Sequence, residues 1–259
     1  MLLENFSSKD RKTIGVFVSR LGRVWGPEFV QGITDSAAEN DLNVICFVGG
    51  KPTPIITPGH LQPSYGLYDI ARTERLAGVI VSGDLGYELG LREMQLFIEN
   101  YLHLPLIVNA LQVDGAPNII ADNMTGMHAV LRHLFDDHKY KRVAFICGPE
   151  NQIEAEQRFL AYRQALRSHN IPYDDTLVAP GDFSIESGRA AVRILLDERN
   201  QHLDAIVCAN DRMALGAFVA LQLRGYQVPG NIALTGFDDI REARSMGVPL
   251  TTVRQSFYE

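Results

Sequence analysis

The sequence predicts an α/β fold in which helices cover both faces of parallel sheets, arranged as two similar lobes. Short apolar runs rich in β-branched residues recur along the chain, and patterns typical of helices separate them. The basic-then-apolar segment KTIGVFVSR at residues 12–20 is similar to KRVAFICGP at residues 141–149, and a loop, a helix and another strand follow each. At 259 residues, the chain is long enough for a lobe pair with substantial cores.

The predicted strands are apolar almost throughout, as expected for parallel strands buried on both faces. They cover Thr13–Ser19, Asn43–Val48, Gly78–Ser82, Leu106–Asn109, Asn118–Ala121, Arg142–Cys147, Thr176–Ala179, Asp204–Ala209 and Ile232–Phe237.

Helical patterns fill the intervals between these strands. They cover Glu28–Asn40, Tyr87–Tyr101, Met124–Asp136, Glu154–His169, Ile185–Asn200 and Arg212–Arg224. We place the lobe boundary near Asp137. Residues 1–12 then form a tail, 13–137 the first lobe, 138–248 the second lobe, and 249–259 a crossover that returns to the first lobe, within which we expect the chain to be truncated.

Composition and charge exclude several classes of protein. A formal net charge of -7 and the lack of a basic stripe predict that the fragment itself does not bind DNA. The chain has no apolar run long enough for a membrane helix or a secretory signal, so we expect a cytoplasmic protein without membrane contact. The cysteines Cys46, Cys147 and Cys208 lie in separate apolar runs, which is typical of core residues in a reducing compartment.

Two predicted strands end in strong hydrogen-bonding groups. Asn210 and Asp211 follow one strand, and Asp238 and Asp239 follow another. In open α/β sheets, ligands bind beyond the carboxyl ends of the strands. Asn210 or Asp211 is expected to cap the following helix, while the acidic pair after the second strand favours a ligand rich in hydrogen-bond donors.

The motifs ANDRMALGA, GFDD and PLTTVRQ together resemble the effector-binding core of the LacI/GalR family of bacterial regulators. The resemblance extends from about Thr13 to Gln255. It implies two Rossmann-like lobes of the type I periplasmic-binding-protein kind, with a small polar effector in the cleft between them. Acidic and amide groups with one aromatic residue suit a sugar best and a nucleoside next. The resemblance also implies a homodimer formed by helices of the first lobe, with EFVQGITDSAAEN at 28–40 and YGLYDIARTERL at 65–76 as the contact surfaces.

The same resemblance implies which side chains bind the effector. Asn210 and Asp238 match residues that bind effector hydroxyls, and Asp211 is then left as the helix cap. Arg158 matches an Arg in the cleft, and Phe183 matches an aromatic residue that stacks on the ligand. Ser19 ends the first strand, and Trp25 matches an aromatic residue over the pocket. Thr125, beside a glycine, is a weaker candidate.

Each match also has a simpler structural interpretation. Arg158 lies four residues after Glu154 and so fits a solvent-exposed helix ion pair. Phe183 fits a core position, and Trp25 fits a contact with its own loop. An aromatic face suits the apolar side of a sugar or purine ring, so we favour the binding role for Trp25.

The chain departs from the family at both ends. The family's DNA-binding headpiece does not precede the first strand, and the chain stops where the family continues. We therefore expect a fragment of a longer polypeptide. A solute-binding protein of a transporter, or the N-terminal sensor of a kinase or cyclase, remains as an alternative function.

Enzymatic motifs are missing from the sequence. Neither G-x-G-x-x-G after the first strand, nor the phosphate loop, nor H-E-x-x-H is present. His128, His133 and His138 are five residues apart, a spacing that rotates each by about 140° around an α-helix and so separates them. We expect no catalysis, no metal ligands and no cofactor.

Overall fold

The computed structural model describes residues 11–21, 26–52, 55, 65–73, 75–150 and 152–258. Contacts divide the chain into two compact units, which we call unit 1 (residues 1–120 and 256–259) and unit 2 (residues 121–255). Within the described ranges, none of the helices combines the length and apolarity needed to span a bilayer.

Unit 1 contains a parallel sheet with the strand order β2-β1-β3-β4-β5. Its core is aromatic: Phe17 on β1 packs edge-on against Tyr101, with the ring centroids 4.9 Å apart. The strands are β1 (Thr13–Val18), β2 (Asn43–Val48), β3 (Leu76–Ser82), β4 (Leu106–Asn109) and β5 (Asn118–Ile119). The helices are α1 (Gly26–Glu39), α2 (Ile70–Thr73, after a 3-10 turn at Gly66–Asp69), α3 (Asp84–Leu89) and α4 (Leu91–Glu99).

Unit 2 contains a second parallel sheet with the order β7-β6-β8-β9. The buried helix residues Met127, Tyr162 and Phe218 pack into its core. The strands are β6 (Val143–Ile146), β7 (Val178–Ala179), β8 (Ala205–Cys208) and β9 (Ala233–Thr235). The α-helices are α5 (Asn123–Arg132), α6 (Ile153–Ser168), α7 (Ile185–Val192) and α8 (Asp211–Gln222), with π turns at His133–Asp137 after α5 and Arg193–Glu198 after α7, and 3-10 turns at Asp175–Leu177 and Arg241–Ser245.

The α/β fold class is confirmed, and every predicted strand is present. The helix predicted at Tyr87–Tyr101 is in fact part of two helices. Gly90 has φ 87°, a left-handed conformation that glycine adopts without strain, and it separates α3 from α4.

The division between the units falls at Ile120, earlier than the boundary near Asp137 that the sequence predicts. The reason is the packing of α5. Its buried residues Met127 and Leu131 belong to the same core cluster as Ala161 and Tyr162 of α6. Residues 251–254 run beside the end of β9, where Thr251 forms a parallel β-bridge with Thr235. Residues 256–259 belong to unit 1.

Candidate functional site

The acidic and amide side chains after β8 and β9 lie at one edge of the unit 2 sheet. Strands β8 and β9 are adjacent and parallel, so their carboxyl ends meet at the same edge. This is the edge at which α/β sheets bind ligands.

Asn210 is the N-cap of α8. Its Oδ1 accepts a hydrogen bond from the Met213 amide at 2.9 Å, and its Nδ2 donates to the Phe183 carbonyl at 3.3 Å. The prediction that Asp211 caps the helix was therefore wrong. Asp211 is the first residue of α8 and is fully buried.

The Asp211 carboxylate joins two distant segments of unit 2. Its Oδ2 accepts from the Ile240 amide at 2.9 Å, and its Oδ1 accepts from the Thr252 hydroxyl at 2.6 Å. Burial raises the pKa of Asp211, and these hydrogen bonds oppose that rise. Asp211 is thus a structural carboxylate that fixes the loops after β9.

Arg158 on α6 is held from several sides and is only 3% exposed. Its Nε donates to Asn123 Oδ1 at 2.9 Å, and its Nη1 donates to the Ala209 carbonyl at 2.7 Å. The guanidinium lies 3.8 Å from the centroid of the Phe237 ring, close enough for a cation–π interaction. This burial excludes the solvent-exposed ion pair that the spacing to Glu154 also suggested.

Asp238 faces Arg158 across this edge, with its Oδ1 3.6 Å from Nη1. The same oxygen accepts from Gln255 Nε2 at 2.6 Å, and the side chain remains 18% exposed. Burial raises the pKa of Asp238 to about 7, against the opposing effect of Arg158. Its φ of 125° is rare for a residue with a side chain, and such strain is found most often at functional sites.

Phe183 lies beside Arg158, in the turn before α7. The Arg158 guanidinium is 5.8 Å from its ring centroid. A Cβ added at Gly148 would approach the Phe183 ring to 2.5 Å, so only glycine leaves room for the ring there. Phe183 also has a left-handed backbone, with φ 67°. An aromatic ring fixed in this way can stack on a ligand.

The structure adds residues that the sequence did not single out as ligands. Asn123 orients Arg158, and Gln255 contacts Asp238. Glu154 is 6% exposed, and its Oε2 is buried without a hydrogen-bond partner among the described residues. Because Glu154 precedes Arg158 by one helical turn, the spacing itself could have indicated it as a second carboxylate on this surface.

Ser19, Trp25 and Thr125 are the remaining predicted site residues. Ser19 is in unit 1, where its Oγ donates to Asp84 Oδ2 and its amide donates to the same oxygen at 3.2 Å. It therefore joins the end of β1 to the start of α3. Trp25 is outside the described residues.

Thr125 is exposed on α5, and its amide donates to the capping residue Asp122 at 3.0 Å. It lines a groove between α5 and α6 with Gln164 and His169.

Similar proteins agree with this architecture. Residues 131–259 match the periplasmic binding protein-like domain family. Over 134 residues, the chain is 38% identical to the HTH-type transcriptional regulator CelR of Thermobifida fusca, a match covering 52% of this chain and 39% of that protein. It is 29% identical to the HTH-type transcriptional repressor CytR of Escherichia coli strain K12, covering 98% of this chain and 71% of that protein.

Solved structures give the same result. A transcriptional regulator CelR–cellobiose complex superimposes with a TM-score of 0.75 at 25% identity, covering 96% of this chain and 74% of that one. A LacI family transcriptional regulator from Mycobacterium smegmatis has a TM-score of 0.78 at 20% identity, which shows the shared fold. These relatives are regulators rather than enzymes. The sequence match to CelR of Thermobifida fusca spans well under two thirds of the length of that protein. The fold, the matching domain family and these relatives together support a core of the LacI/GalR effector-binding type.

Proposed function

We propose that the chain is the ligand-sensing part of a transcriptional regulator and that it binds a small polar effector at the carboxyl edge of the unit 2 sheet. The observation that carries this proposal is the buried Arg158 facing the partly exposed Asp238 beside Phe183. A buried guanidinium held by a carbonyl and an amide can donate to an acceptor without reorganising. The facing carboxylate accepts hydroxyl groups through charge-assisted hydrogen bonds.

The charges favour a neutral effector rich in hydroxyl donors. Asp238 and Glu154 contribute two carboxyl groups near one guanidinium, and the buried Glu154 oxygen gains a partner when a ligand donates to it. A phosphorylated ligand would add negative charge next to these groups. We therefore place sugars first, as in the cellobiose complex of CelR, and nucleosides second.

Within this proposal, the predicted site residues have different roles. Asp238, Arg158 and Phe183 contact the effector. Asn210 acts mainly by holding the Phe183 carbonyl, because both of its polar groups are already engaged. Ser19, Trp25 and Thr125 remain predictions from the family resemblance alone.

A thermal-shift screen of the purified chain against neutral sugars, phosphorylated sugars and nucleosides tests the proposal. An effector at a hundred times its dissociation constant should stabilise the fold by about 2.7 kcal/mol. Asp238→Ala should then weaken binding, measured by calorimetry, by about 1.5 to 3 kcal/mol. The neighbouring Asp239→Ala is the matched control, since the carboxylate of Asp239 is already paired with Arg244 and Arg254. A chain that no ligand of these classes stabilises, or an Asp238→Ala variant that binds normally, would contradict the proposal.

We further propose that the protein works in the cytoplasm as a homodimer and that these residues do not themselves bind DNA. The net charge of -7 opposes phosphate contacts. Exposed Leu67 and Ile70, three residues apart in the second predicted contact segment, give that surface an apolar character. Light scattering tests the assembly, and a monomer at all concentrations would refute the dimer for this chain.

A further inference from the structure

Two histidines at the end of α5 lie against each other because the helix ends in a π turn. The amide of His138 donates to the carbonyl of His133 at 3.3 Å, a hydrogen bond between residues five apart. The expectation that these side chains point to different faces assumed regular α-helical geometry. In a π turn, residues i and i+5 lie one above the other. The turn after α7 has the same effect, since it pairs Arg193 with Glu198.

The two imidazole rings face each other through the nitrogens that bind metals. Nε2 of His133 and Nε2 of His138 are 3.2 Å apart, whereas the ring centroids are 4.6 Å apart, so the Nε2 edges point inward. A metal ion at the usual distance of about 2.0 to 2.1 Å from both nitrogens would see them at an angle of about 100 to 106°, near the tetrahedral value. The nitrogens are thus already at the separation that a bidentate site requires.

The surroundings orient both rings. Nδ1 of His133 is 2.7 Å from Asp137 Oδ2, which places the proton on Nδ1 and leaves the Nε2 lone pair available. This is the carboxylate–histidine arrangement that supports metal ligands in proteins. The ring of His138 stacks on Tyr140, with an interplanar angle of 14° and centroids 5.1 Å apart.

We propose that His133 and His138 form a surface binding site for a divalent transition metal such as Zn²⁺, Ni²⁺ or Cu²⁺, with Asp137 as a positioning residue. The metal replaces the hydrogen bond between the two Nε2 atoms, and the Nε2 proton moves to Nδ1 of His138 through water. Among the residues that the structure describes, no cluster of three or more His, Cys, Asp or Glu side chains could hold a metal ion, so water completes the coordination. Imidazole ligands select these metals over Mg²⁺ and Ca²⁺.

Calorimetric titration of the chain without an affinity tag, using zinc chloride and then magnesium chloride, tests the site. The unsubstituted chain should bind one Zn²⁺ and no Mg²⁺. His133→Gln and His138→Gln should each remove this binding event. Asp137→Asn should weaken it by about 10- to 100-fold, the usual effect of losing a group that orients a ligand. His103→Gln, which changes an exposed histidine in unit 1, is the matched control and should bind like the unsubstituted chain.

Melting followed by circular dichroism separates binding from folding. His133 is 42% exposed, so the metal-free variants should melt close to the unsubstituted chain. Added Zn²⁺ should raise the melting temperature of the unsubstituted chain and of His103→Gln only. If the unsubstituted chain binds no Zn²⁺, or if binding survives either His133→Gln or His138→Gln, the site does not exist.

Discussion

Asp211 and Asp238 follow neighbouring parallel strands of unit 2, yet their carboxylates have different roles. Both oxygens of Asp211 accept hydrogen bonds from within unit 2, and the residue is fully buried. Asp238 accepts from Gln255, faces Arg158 at 3.6 Å and keeps part of its side chain exposed. The difference shows that position at a strand end is not enough to make a carboxylate a ligand. A carboxylate at a strand end stays available to a ligand only where later segments of the chain do not supply hydrogen-bond donors to both of its oxygens.

Asp211→Ala should cause the largest loss of stability. Asp211→Ala leaves the Ile240 amide and the Thr252 hydroxyl without their acceptor inside the protein, and should lower the free energy of unfolding by about 2 to 4 kcal/mol. Urea denaturation monitored by fluorescence measures this loss. A loss below that of Asn210→Ala would mean that water replaces the carboxylate and that the contrast with Asp238 is weaker than the geometry indicates.

A pH titration of stability tests the environment of Asp238. Folding raises its pKa from 3.8 to about 7, so between these values the folded chain holds a proton that the unfolded chain has released. The contribution of Asp238 to stability is therefore complete below about pH 4 and is lost as the pH rises to about 7. Asp238→Asn removes this dependence and should be more stable than the unsubstituted chain at pH 8, by on the order of 1 to 2 kcal/mol. Denaturation of both proteins without effector from pH 4 to 8 measures the difference, and parallel curves would show that this carboxylate is ionised throughout.

Substitution of Asn210 should lower stability by a smaller amount, because its main role is structural. Asn210→Ala removes the N-cap of α8 and should cost about 1 kcal/mol of stability. Asn210→Asp keeps the acceptor for the Met213 amide and is the matched control. Once an effector is known, a loss of affinity in Asn210→Ala as large as that in Asp238→Ala would show that Asn210 contacts the ligand directly.

Asp239 should show the smallest effect, although it is adjacent to Asp238. Its carboxylate pairs with Arg244 and Arg254, whose side chains are 60% and 74% exposed. Ion pairs with such exposed partners contribute about 0.2 to 1 kcal/mol. Asp239→Ala should therefore melt within a few degrees of the unsubstituted chain, and an unfolded variant would show that this pair fixes the turn after β9.

The sequence by itself determined the sheets of this protein and the edge where its polar side chains gather. Buried parallel strands such as β6 and β8 are continuous apolar runs and could be recognised from local composition. The outer strands β2 and β5 carry a similar apolar signal although most of their residues are not buried. The motifs around Asn210 and Asp238 also indicated the family resemblance. Arg158 and Phe183 were predicted through the same resemblance, and the structure places Arg158 beside both Asp238 and the Phe183 ring.

Only the tertiary structure decided which of these groups are already engaged. The role of Asp211 depends on Ile240 and Thr252, which lie 29 and 41 residues away in the chain. The burial of Glu154 and the early division between the units likewise depend on how helices pack, which local patterns do not encode. The meeting of His133 and His138 depends on the way α5 ends, since a π turn places residues five apart on the same face, whereas an α-helix separates them. Local composition fixes which elements form, whereas hydrogen-bond partners distant in sequence fix what their side chains can still bind.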